Sequence, residues 1–133
     1  METFLNRLPV AHRGLHTEEL PENSLPAFRE AALAGYAIET DVHFTKDRQL
    51  AVFHDDDLLR MTGDKRTVSE CTMSELRLLK LNGSEEKIPT VAELLETVRG
   101  RAPLLIEIKN MDGVKPQEIA AALSESLAGY EGA

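Results

Sequence analysis

Seven residues of this chain have types and spacing suited to chemistry. Glu39 and Asp41 sit two apart in "AIETDVHF", and Glu107 and Lys109 two apart in "LLIEIKN". "AHRG" carries His12 and Arg13, and "VFHD" carries His54. In a strand alternate side chains share a face, so Glu39, Asp41 and His43 look one way and Ile38, Thr40, Val42 and Phe44 the other. Two carboxylates about 4 Å apart repel by roughly 4 kcal/mol at an effective dielectric near 20. Either that face is open to water or something offsets the charge. A hard divalent cation with oxygen ligands, magnesium or calcium rather than zinc, is the natural partner for Glu39, Asp41 and Glu107. His12 and His54 can carry protons near neutral pH. Arg13 can hold a phosphate bidentately, and Lys109 as a point charge.

Each feature taken singly has a plainer reading. Glu39 and Asp41 on an edge strand would be a solvated face, and Glu107 with Lys109 an ordinary ion pair. A lone His12 or His54 would pack or cap, and His16 and His43 stay with that reading because neither closes a polar strand end. Asn23 and Ser24 read as helix caps, Asp55, Asp56 and Asp57 as loop and cap, and Cys71 as a small buried residue. The joint placement favours chemistry, since the polar residues all fall at strand ends.

The elements that must position them alternate in type. "LPVAH" is a short strand, and "NSLPAFREAALAG" a helix capped by Asn23 or Ser24 and stopped at Gly35. "YAIETDVHF" and "QLAVFHD" are strands whose connection is too short for a parallel crossover, which predicts an antiparallel hairpin. "TMSELRLLK" and "TVAELLETVRG" both open with capping-box spacing, Thr72 with Glu75 and Thr90 with Glu93. "APLLIEIKN" is a strand and "KPQEIAAALSESLAGY" a last helix. Strands alternating with helices predict an α/β fold with parallel strands, whose C-terminal ends converge on one rim where ligands bind.

The totals set bounds. The length of 133 residues suits one domain, and 42% hydrophobic content suits a soluble globular one. A net charge of −8 argues against nucleic acid or an anionic membrane as main partner. The single cysteine needs no oxidising compartment. No run has the length of a membrane span, and the N-terminal "METFLNRLPVAHRG" has no apolar leader core. A cytoplasmic location is the expectation.

"AHRG", "PENSLPAF", "IETDVHFTKD", "VFHDDDLLRMTG", "IPTVAELL" and "LIEIKN" resemble, in order and spacing, the successive motifs of glycerophosphodiester phosphodiesterases. The resemblance runs from about Pro9 to Asn110. It implies a TIM barrel and metal-dependent hydrolysis of glycerophosphodiesters to sn-glycerol 3-phosphate and an alcohol. It puts a magnesium or calcium ion on Glu39, Asp41 and Glu107, makes His12 and His54 the acid–base pair, and sets Arg13 and Lys109 on the phosphate. Residues at about 55–89 correspond to an insertion near the substrate entrance. One departure is Arg48, where the family's hairpin turn commonly has Gly.

A usual barrel has eight βα units in about 250 residues. Residues 1–133 offer about three, so the resemblance implies a partial domain, the N-terminal part of a barrel. Its open sheet edges predict a piece of a longer protein or self-association of copies. A sphingomyelinase D-like phospholipase, which shares the histidine pair and the acidic triad, is an alternative. A non-catalytic metal-binding or oligomerising domain is the reading from outside enzymology.

Overall fold

Ser24 starts the first helix. Its hydroxyl accepts from the Ala27 amide and Pro26 lies in the first turn, so α1 runs Leu25–Leu33. Asn23, the other expected cap, is committed elsewhere, as described below. The structure, a computed structural model, describes residues 7–131. The expectation that no leader core is present falls partly on residues 1–6, outside the described residues.

The sheet is built around β2 (Ala37–Phe44). β1 (Val10–His12) and β4 (Leu104–Ile108) flank β2 in parallel, pairing Ala11 with Ile38 and Thr40 with Ile106. β3 (Leu50–Val52) returns antiparallel along the end of β2, with Val42 opposite Val52, as the short connection requires. Arg48, in that turn, has φ 58°, a left-handed conformation that explains why Gly suits the position. The outer edges of β1 and β4 have no strand partner among the described residues.

Between β3 and the next long helix the chain forms three short turns, α2 (Leu59–Thr62), a 3₁₀ turn (Val68–Glu70) and α3 (Met73–Leu76). The capping box of Thr72 and Glu75 forms, but its helix lasts one turn. Beyond it, Lys80 bridges to Lys87, and Leu81 is buried. Thr90 and Glu93 form the second capping box and start α4 (Val91–Val98); α5 spans Pro116–Leu127.

Two apolar clusters result. Phe28, Ile38, Val42, Val52, Leu94 and Leu104 belong to the one between sheet and helices. Ala51, Phe53, Leu58, Met61, Leu76 and Ile88 belong to the other, under the inserted turns. Alternation along β3 sends Val52 to the first and Ala51 to the second. Val10 and Leu105 remain 39% and 44% exposed. No helix of the described residues is long and apolar enough to cross a membrane.

Candidate active site

The polar face of β2 is covered. Asp41 is fully buried, and only 14% of the Glu39 side chain is exposed. The parallel registers place His12 beside Glu39 and Glu107 beside Asp41. One carboxylate oxygen from each of Glu39, Asp41 and Glu107 lies within 4.8 Å of the others. Burial, reinforced by the Asp41 charge, pushes the Glu39 carboxyl up to about 7. Lys109 holds Glu107 below the usual carboxylate range, with Nζ 3.0 Å from Glu107 Oε1 and 3.7 Å from Asp41 Oδ1.

β1 delivers His12 and Arg13. His12 Nε2 is 3.6 Å from Glu39 Oε2, and the imidazole is largely exposed. Arg13 has φ 60°, a left-handed turn that directs its amide to the Glu39 backbone oxygen at 2.8 Å. Its guanidinium donates to Glu22 at 2.9 Å, and Nε lies 3.9 Å from Asp41 Oδ2. Two buried side-chain polar atoms lack a hydrogen-bond partner among the described residues, Arg13 Nε and Asp41 Oδ1. Buried groups of this kind are normally satisfied. An orphaned acceptor in an acidic cluster fits a cation, and an orphaned guanidinium donor beside it fits an anion.

His54 follows β3. Its Nδ1 is 2.8 Å from Asp55 Oδ1, and Arg60 clamps the same carboxylate through Nε at 2.9 Å and Nη2 at 3.1 Å. These contacts hold Asp55 at about 2, the Arg60 bonds contributing most. The other edge of Arg60 donates to both oxygens of Glu22, at 2.9 and 3.0 Å. Burial raises Glu22, but Arg60 and Arg13 outweigh it and hold the acid ionised. His54, Asp55 and Lys109 line one depression.

All seven expected residues therefore lie around one rim, and five others help to place them. Asn23 is buried in a left-handed conformation, φ 55°. It donates through Nδ2 to Asp41 Oδ2 at 3.3 Å and accepts from Thr40 Oγ1 at 2.7 Å. Its place beside Ser24 reads only as a cap, and Ser24 alone caps α1. His43 is a buried structural residue, as expected, yet its Nε2 lies 3.0 Å from the His54 carbonyl, so it donates there and fixes the His54 backbone. Glu22 and Arg60 carried no periodic or capping signal. Asp55, read as loop, orients His54.

The parallel strands with carboxylates and histidines at their C-terminal ends define an α/β protein of the barrel type. The Glycerophosphoryl diester phosphodiesterase family matches residues 12–128, and the chain belongs to that family. It is 33% identical to the lysophospholipase D GDPD1 of Rattus norvegicus, covering 93% of this chain and 43% of that one. A glycerophosphodiester phosphodiesterase of Caldanaerobacter subterraneus is 34% identical, with coverage of 83% and 47%. Among solved structures, an Oleispira antarctica phosphodiesterase in complex with the product sn-glycerol-3-phosphate superposes with TM-score 0.83 at 31% identity, covering 96% of this chain and 55% of that one. The glycerophosphodiester phosphodiesterase of Thermotoga maritima gives 0.78 at 34% identity, covering 95% and 52%. The chain spans about half the length of these relatives.

Proposed function

We propose that this chain carries the catalytic rim of a metal-dependent glycerophosphodiester phosphodiesterase. The supporting observation is the cluster of Glu39, Asp41 and Glu107 within 4.8 Å, with Asp41 Oδ1 unpartnered. These three carboxylates would hold the cation, magnesium or calcium. When bound, it supplies positive charge toward the phosphoryl oxygens. Arg13 and Lys109 bind the phosphate, through the free guanidinium edge and the ammonium. One of His12 and His54 takes the proton of the glycerol 2-hydroxyl as that oxygen attacks phosphorus. The other gives a proton to the departing alcohol, and water then opens the cyclic phosphate. Residues 55–89 form the wall beside the substrate entrance.

Release of sn-glycerol 3-phosphate from glycerophosphocholine tests this reading. Turnover is expected with magnesium or calcium, none with chelator, and a loss of about 10²–10⁴-fold in His12→Ala. Turnover that survives both treatments would overturn it. The likeness to a lysophospholipase D supports a second substrate class, lysophospholipids. Running lysophosphatidylcholine beside glycerophosphocholine separates the two.

Cation affinity should depend on pH. With Glu39 raised to about 7, protons compete for the site, so affinity falls as pH drops through that value. Above the ordinary value of 4.5 the unfolded chain has already lost this proton while the metal-free fold retains it. Metal-free stability therefore declines as pH climbs from 4.5 toward 7 through this group. Calorimetric calcium titrations at about pH 6 and pH 8 check the first statement. Equal affinities would remove Glu39 from the ligand set.

A further inference from the structure

Arg60 belongs to the inserted turns, not to the strand ends. It stands on α2 between Leu58 and Met61, both buried in the second apolar cluster. Its guanidinium joins two loops, one carrying Asp55 and the other Glu22. One face grips Asp55, the neighbour of His54, and the other grips Glu22, the partner of Arg13. The path His54–Asp55–Arg60–Glu22–Arg13 is continuous, with each link between 2.8 and 3.1 Å.

The ionised Asp55 carboxylate can only accept, so the proton between it and His54 resides on Nδ1. Nε2 of the neutral imidazole is thereby left with its lone pair, the state that can take a proton from substrate. Besides His54, only Arg60 hydrogen-bonds the Asp55 carboxylate among the described residues, and it holds that plane against the ring. The Arg60 side chain is 49% exposed, which limits what its ion pairs add to stability. Its carboxylate partners are only 11% and 22% exposed, so the double bidentate network adds some stability as well as alignment.

We infer that Arg60 is a positioning residue that sets His54, through Asp55, and Arg13, through Glu22, in one alignment across the rim. The inference deepens the phosphodiesterase reading and rests on it for its catalytic consequence. A misplacement of about 1 Å can cost on the order of 100-fold in rate, and loss of a supporting contact roughly 10–100-fold.

The test combines nitrogen-15 imidazole spectra of His54 with glycerophosphocholine turnover and melting temperature. Wild type, Arg60→Ala and Arg60→Lys are compared above the histidine titration. The wild-type ring should carry its proton on Nδ1, and Arg60→Ala should shift population to the Nε2-protonated form. Activity should fall roughly 10–100-fold, while the protein stays fully folded at the assay temperature despite a modest drop in melting temperature. Arg60→Lys should not restore it, because one ammonium does not span two carboxylates as a planar fork does. An unchanged His54 tautomer in Arg60→Ala overturns the inference, with or without turnover. So does a fall in melting temperature large enough to account for the lost rate. A tautomer shift in a protein whose wild type hydrolyses nothing sustains the positioning role and counts against the phosphodiesterase reading alone.

Discussion

Asp41→Asn should abolish magnesium and calcium binding, leave turnover at background, and raise the melting temperature of the metal-free protein. All three effects come from one buried charge. Asp41 is fully buried, with Oδ1 unpartnered and the carboxylates of Glu39 and Glu107 within 4.8 Å. Lys109 at 3.7 Å and Arg13 at 3.9 Å offset its charge without hydrogen-bonding to it. An asparagine keeps one oxygen to accept from Asn23 Nδ2, which now bonds Asp41 Oδ2 at 3.3 Å. Its amide nitrogen then donates toward the neighbouring carboxylates. Relief of repulsion that is worth roughly 4 kcal/mol before compensation should leave a net gain of about 1 kcal/mol, roughly 4 °C. Calorimetry of binding and a thermal scan with chelator, both near pH 8, check the two halves. Retained cation binding would take Asp41 out of the ligand set. A lower melting temperature would mean that Lys109 and Arg13 already over-compensate its charge.

Gly14→Ala should cost about 2–5 kcal/mol of stability, read from the denaturation midpoint at constant slope. Gly14 has φ +80°, a region that costs other residues about 1–2 kcal/mol. A Cβ there would stand 3.0 Å from the Ala27 carbonyl carbon and Cβ and 3.1 Å from Phe28 Cδ1. Ala27 and Phe28 are fully buried in α1 and cannot retreat, so overpacking adds a further 1–3 kcal/mol or so. Gly35→Ala is the matched control. It has φ +83° but nothing within 4 Å of its new Cβ, so only the conformational cost of about 1–2 kcal/mol applies. Equal losses in the two variants would show that space around Gly14 does not matter.

The elements were legible where local physics decides them. Capping boxes at Thr72 and Thr90 form because the hydrogen bonds lie within four residues of chain. The β2–β3 hairpin follows from connection length alone. Residue types at strand ends also pointed to the rim, since a parallel sheet aligns its C-terminal ends whatever the helices do. Asn23 was not legible, because its partners Thr40 and Asp41 lie 17 and 18 residues away and only the folded sheet brings them. Arg60 lay further out of reach, 38 residues from Glu22. The capping-box spacing at Thr72 does not show how short its helix is, because the bridge of Lys80 with Lys87 that follows it is set by the fold.

The alternation along β3 has a mechanical consequence. A strand of three residues is the seam between two hydrophobic clusters, Val52 on one side and Ala51 on the other. His54 and Arg60 sit beyond the seam, while His12, Glu39 and Asp41 sit before it. Partial melting confined to the second cluster would slacken Arg60 and His54 while the backbone ladder of β1, β2 and β4 stayed closed. Loss of alignment at the rim and global unfolding would therefore be separable transitions in this architecture, the first needing less of the chain to let go.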